Sequence, residues 1–150
     1  LSQGIGDTVR VSLTLPDEEK DKEVFAARAI IEDVSQGRFR SVPKLFGQGL
    51  NVISCPSCSR VENKAFVDLA RKVKAALEFA ADCKITVAVM GCRVNGPGET
   101  DEADLGLWCA PTFVNLKKGS QLLGKFPYEE VVDRLILEVK QLAQERNSSS

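Results

Sequence analysis

The chain has 150 residues, 43% hydrophobic and 27% charged, with a formal net charge of −1. That is about one globular domain's worth of chain, long enough to bury a core without disulfide staples. It has no long basic run and no apolar stretch of bilayer length, so neither nucleic acid nor a membrane is expected as a partner.

In chain order, Gly4-Ile5-Gly6-Asp7 is a turn, and residues 8–14 alternate apolar and polar side chains as a strand does. Pro16 and Asp17 open a helix with acidic residues in its first turn and an apolar stripe of Val24, Ala27, Ile31 and Val34. A strand leading directly into an amphipathic helix is a β–α unit, here residues 1–36. Residues 37–49 are rich in glycine and basic residues without a period, which predicts a linker and domain boundary. A second domain then spans 50–146. It begins with a short strand at 50–54 and a helix at 63–81, whose apolar face carries Phe66, Leu69, Ala70, Val73, Ala76, Leu77 and Ala80. Residues 85–90 are almost wholly apolar, as in a buried central strand. A glycine-rich loop follows, and the acidic run 99–104 suggests no element. Strands are predicted at 105–110 and 112–116, with a hairpin turn at 117–120 before a strand at 121–126. Pro127 opens a last helix with Val132, Leu135, Ile136, Val139, Leu142 and Ala143 on its buried face, and 147–150 is a polar tail. The fold class is α+β. Because residue 1 is Leu and the strand pattern begins almost at once, a piece of a larger protein is expected.

Five cysteines, an odd number without the spacing of a disulfide framework, point to a reducing compartment. Cys55-Pro56-Ser57-Cys58 is joined 34 residues on by Cys92, within Met90-Gly91-Cys92-Arg93-Val94-Asn95-Gly96-Pro97-Gly98-Glu99. Three thiolates and no histidine match the ligands of an iron–sulfur cluster better than those of most zinc sites. A zinc ribbon would repeat the CxxC, and a thioredoxin-like pair leaves the third cysteine unexplained. Glu99 offers a fourth, oxygen ligand, although spacing alone is equally consistent with a solvated surface charge. Cys83 and Cys109 compete for that role, with core packing as their plainer reading. The Asn95–Gly98 stretch is either an ordinary turn or a place where backbone approaches a ligand. Arg10 and Ser12 share one strand face, which is unremarkable on an exposed strand and a phosphate holder at the end of a barrel strand.

Three blocks, 4–13, 55–60 and 87–99, together resemble the 4-hydroxy-3-methylbut-2-enyl diphosphate synthase family, in the family's order and over nearly the whole chain. The resemblance implies the C-terminal part of such an enzyme. Residues 1–36 would be the last strand and helix of a TIM barrel, and 50–146 a sulfite-reductase-like iron–sulfur domain. It implies a 4Fe-4S cluster held by Cys55, Cys58, Cys92 and Glu99, with Glu99 also catalytic because a hard carboxylate gives way to substrate more readily than a thiolate. Arg10 and Ser12 match positions that hold the substrate diphosphate, and Asn95 one that faces the substrate. The implied reaction is the two-electron reductive opening of 2-C-methyl-D-erythritol 2,4-cyclodiphosphate, with loss of water, to (E)-4-hydroxy-3-methylbut-2-enyl diphosphate in isoprenoid biosynthesis. Ferredoxin or flavodoxin would donate the electrons. The whole enzyme would be a homodimer of the bacterial cytoplasm or plastid stroma, and these 150 residues alone would bind the cluster without turnover. The stretch 108–123 departs from the shorter bacterial members. A non-catalytic electron-transfer module and a structural zinc domain are the competing readings.

Overall fold

The computed structural model describes residues 1, 3–37, 49–92, 94 and 96–148, with side chains to 146. Its centre is a five-stranded sheet in the order β1 (Asn51–Ser54), β2 (Thr86–Met90), β3 (Leu105–Cys109), β4 (Val114–Lys118), β5 (Gln121–Phe126). The first three strands run parallel, and β4 and β5 are antiparallel additions. The parallel connections are helical, through α2 (Ala65–Ala76) with a 3₁₀ turn at Glu78–Ala80, and through the short α3 (Gly96–Glu102). The last helix, α4 (Val131–Ser148), follows β5, and α1 (Asp21–Ser35) precedes the sheet. The domain is therefore a mixed α/β structure.

Strand alternation sorts the two faces. Val87, Val89, Leu105, Leu107, Val114 and Leu116 share one face and are all fully buried. That face lies under α2 and α4, which contribute Phe66, Leu69, Val73, Leu77, Leu135 and Val139. The other face carries Met90, Gly106 and Trp108 and is covered by α3. Here the helix comes very close: a Cβ on Gly106 would lie 2.4 Å from Thr100 Cβ, and one on Gly96 would lie 2.4 Å from the Trp108 ring. Only glycine allows such an approach.

The predicted faces of α2 and α4 are the buried ones, with Val67 and Val131 added. The differences have physical causes. The predicted loop and acidic run contain α3, where Pro97 sits in the first turn and Glu99 faces a positive helix end; three poor helix formers concealed it. The strand predicted at 112–116 lies at 114–118, because Lys117 and Lys118 continue the ladder opposite Gly106 and Leu105. Residues 8–14 form no strand. They meet no ladder partner among the described residues, and their polar groups bond elsewhere: the Leu13 N–H donates to Glu23 Oε1 at 2.8 Å, and Lys20 donates to the Leu13 carbonyl at 3.0 Å. The apolar stripe of α1 finds no core among the described residues, with Val24 53% and Ile31 48% exposed. Most of the predicted linker, residues 38–48, lies outside the described residues. α4 continues through Asn147 and Ser148, where a tail was expected. None of the described helices is long and apolar enough to cross a membrane.

The glycine contacts predict opposite effects in two neighbouring places. Gly106→Ala should destabilise the protein by about 1–3 kcal/mol, since backbone and Thr100 must move apart. Gly98→Ala, with open space at its Cβ in a helical position, should stabilise by up to about 1 kcal/mol. Urea unfolding of the two variants measures both.

Candidate metal centre

The carboxyl ends of β1, β2 and β3 meet at one edge of the sheet, where ligands of open parallel sheets characteristically bind. Cys55 is the first residue past β1, and its N–H donates to the Val89 carbonyl at 3.3 Å. Two residues later on the neighbouring strand, the Gly91 N–H donates to Cys55 Sγ at 3.3 Å. The Gly91 carbonyl accepts from the Glu62 N–H at 3.1 Å, so one glycine ties the CxxC loop to the end of β2. Its missing side chain is necessary, because a Cβ there would fall 2.9 Å from the Phe66 ring. The CxxC turn closes through the Cys58 N–H to the Pro56 carbonyl at 2.7 Å. Past Cys92, the Gly96 N–H returns to the Cys92 carbonyl at 3.0 Å, and α3 starts there with Glu99 in its first turn.

Cys55 and Cys92 are buried, while Cys58 and Glu99 are exposed. Burial pushes the Cys55 thiol above its usual pKa. The Gly91 N–H opposes this, and the charges of Cys92, Cys58 and Glu99 add to the rise. The other three side chains thus lie within electrostatic reach of Cys55. Among the described residues, no three Cys, Asp or Glu side chains converge tightly enough to hold a single ion. An iron–sulfur cluster gives each thiolate its own iron. Soft sulfur donors, one of them receiving a backbone N–H, suit such a group, since hydrogen bonds to sulfur tune iron–sulfur centres.

Of the other predicted residues, Arg10 and Ser12 lie on the exposed N-terminal segment, where the charge of Arg10 acts on Glu23. Asn95 lies outside the described residues, as does Arg93. Cys83 is half-buried against the core and Cys109 is fully buried, in keeping with their packing reading. Burial pushes the Cys109 thiol up to about 12, with the Tyr128 hydroxyl beside it. That hydroxyl donates to the Ala110 carbonyl at 2.8 Å.

The sequence reading missed Thr14, whose hydroxyl donates to the Cys55 carbonyl at 2.9 Å and lies 2.7 Å from Ser54 Oγ. With Ser57 donating to the Leu15 carbonyl, it docks the N-terminal segment on the first cysteine turn. A lone threonine in an alternating stretch carries no signal of such a contact. Cys58 opens into a cavity of about 800 Å³ between this segment and α2, lined also by Leu15, Pro16, Lys64 and Arg71.

Thiol reactivity in the metal-free protein should follow this geometry. At pH 8, iodoacetamide should alkylate Cys58 first and Cys109 only after unfolding, because a thiol with a pKa of about 12 holds almost no thiolate there. The unfolded thiol ionises near its ordinary value and the folded one does not. Cys109 should therefore cost stability as pH rises from about 9 towards 12. Mass-spectrometric footprinting and unfolding against pH test the two statements.

The GcpE protein C-terminal domain family matches residues 51–141 of the chain. A 4-hydroxy-3-methylbut-2-en-1-yl diphosphate synthase (flavodoxin) of Rhodopirellula baltica is 60% identical over 142 residues, which is 95% of this chain and 37% of that protein. Proteins of the same name from Dehalococcoides mccartyi and Caldicellulosiruptor saccharolyticus are 43% and 39% identical, each over the same 95% and 37%. The chain thus spans a little over a third of the length of these relatives. With more than half of its residues inside the matched domain, the chain belongs to the GcpE protein family, whose C-terminal domain it carries at residues 51–141.

Proposed function

We propose that Cys55, Cys58, Cys92 and Glu99 hold a 4Fe-4S cluster, and that the intact protein is a 4-hydroxy-3-methylbut-2-enyl diphosphate synthase. The observation that supports this reading is the placement of the buried Cys55 and Cys92 just past the ends of two adjacent parallel strands, with the Gly91 N–H aimed at the first sulfur and with Cys58 and Glu99 exposed in the turn and helix that follow. The substrate would be 2-C-methyl-D-erythritol 2,4-cyclodiphosphate, opened by two electrons with loss of water, and the relatives' name makes flavodoxin the first donor to test. Ferredoxin is the alternative donor.

When bound, the cluster would supply electrons one at a time together with a Lewis-acidic iron. The protein's own groups then divide the remaining work. Cys55 and Cys92 anchor from the buried side, and the Gly91 N–H offsets part of the cost of keeping an anionic sulfur away from water. Glu99, exposed on α3, is the ligand that can swing into solvent and leave an open position. Arg10 and Ser12 would hold the diphosphate by charge-assisted and hydroxyl hydrogen bonds, with Asn95 facing the substrate. Residues 1–36 would belong to a TIM barrel, residues 50–146 would have the sulfite-reductase-like fold, and the intact enzyme would be a homodimer in the cytoplasm or plastid stroma.

Anaerobic reconstitution should load about four irons and four sulfides per chain with a broad thiolate-to-iron absorption band. Replacing Cys55, Cys58 or Cys92 by Ala should abolish most of that uptake. Stoichiometric zinc without iron would overturn the proposal in favour of a structural zinc domain.

In the intact protein, Arg10→Ala should raise KM for the cyclic diphosphate at unchanged iron content, as the loss of one charged phosphate contact requires. Steady-state kinetics at several substrate concentrations, with iron analysis on the same samples, checks this.

A further inference from the structure

We propose that Lys117, paired with Asp101, is the positioning residue that aims Glu99 at the cysteine site. This rests on the reading of Glu99 as a cluster ligand. With only seven residues, α3 is too short to hold its own orientation, so contacts with the sheet must set it. Successive residues of a helix turn by roughly 100°. Gly96 and Thr100, four apart, therefore share the face that rests on Trp108 and Gly106. Glu99 and Asp101 project from opposite flanks of that face. Asp101 reaches towards β4, where it pairs with Lys117. Glu99 must then lean the other way, towards β2 and β1, and its charge is felt there by Cys55.

The two glycine contacts fix how close α3 lies to the sheet. Both lie along one line beneath the helix, so they leave it free to roll. The flank contact removes that freedom. Lys117 is only 9% exposed, and a cation so placed requires a counter-charge, so the pair is not an optional surface contact. The β4–β5 ladder also shifts register between Leu116 and Lys117, and such irregularities re-aim the neighbouring side chain. Thr100 adds a local brace, its hydroxyl donating to the Gly96 carbonyl at 2.5 Å.

The test uses the intact, anaerobically loaded protein and reads iron content, midpoint potential and thermal stability for Lys117→Met, Lys117→Arg, Asp101→Asn, Glu99→Ala and the Lys117→Met/Glu99→Ala double variant. Loss of an anionic ligand raises a cluster's potential, so Glu99→Ala should shift it upwards. Lys117→Met and Asp101→Asn should both shift it upwards as well, with iron content kept, and Lys117→Arg should restore it. A purely through-space effect would move the two in opposite directions, because one removes a positive charge and the other a negative one. The double variant should match Glu99→Ala alone. Opposite shifts, additive shifts or wild-type potentials in Lys117→Met and Asp101→Asn would each overturn the proposal. Were Lys117→Met to lose its fold, the Asp101→Asn/Glu99→Ala double variant decides: it should match Glu99→Ala alone, and a further upward shift, as a through-space effect requires, would overturn the proposal. An unchanged potential in Glu99→Ala would instead overturn the ligand reading on which the inference rests.

Discussion

The Gly91 N–H points at the sulfur of Cys55, and three elements must agree for it to do so. The end of β1 has to deliver Cys55, the end of β2 has to deliver a residue without a side chain, and α2 has to place the Phe66 ring where that side chain would stand. A slip of one residue between β1 and β2 would turn Cys55 to the other face of the sheet and leave a buried sulfur without its donor. The packing of the core and the polarity of the site are thus settled by the same contact.

Parallel order explains why the cysteines meet. Cys55 and Cys92 are about 37 positions apart in sequence, and adjacent parallel strands bring both to one edge. The crossover helix α2 covers the sheet behind them, and α3 begins at the same edge and carries Glu99 outwards. The antiparallel β4 and β5 contribute no thiol, yet they are not passive. β4 supplies Lys117 beneath α3, and the turn after β5 places Tyr128 against Cys109 and the Ala110 carbonyl, closing the apolar floor next to the site.

The site is built with a protected side and an open side. Two thiols are buried, and burial disfavours ionisation of the Cys55 thiol unless a metal compensates, while Cys58 and Glu99 face outwards. The N-terminal segment approaches the open side, held by Thr14 on the Cys55 carbonyl and by Ser57 on the Leu15 carbonyl. Its exposed helix α1 keeps an apolar face that meets no core among the described residues.

Much of this was legible in the residues themselves. The 3.6-residue stripes of α2 and α4 named most of their buried side chains, missing Val67, Val131 and Glu138, because a helix that covers a sheet needs a single apolar face. The run at 85–90 announced a central strand, and the CxxC, the lone Cys92 and the absence of histidine announced thiolate chemistry. Local propensity misled where tertiary contacts outweighed it. Gly96-Pro97-Gly98 is helical because the sheet beneath it has glycine at 106, and residues 8–14 form no strand because a strand exists only beside a partner. Chemistry nominated Cys55, Cys58 and Cys92, while Glu99 was singled out as a ligand only by the family resemblance. Only the tertiary structure set their burial and gave Cys55 its donor, because those depend on contacts between residues that the chain itself keeps far apart.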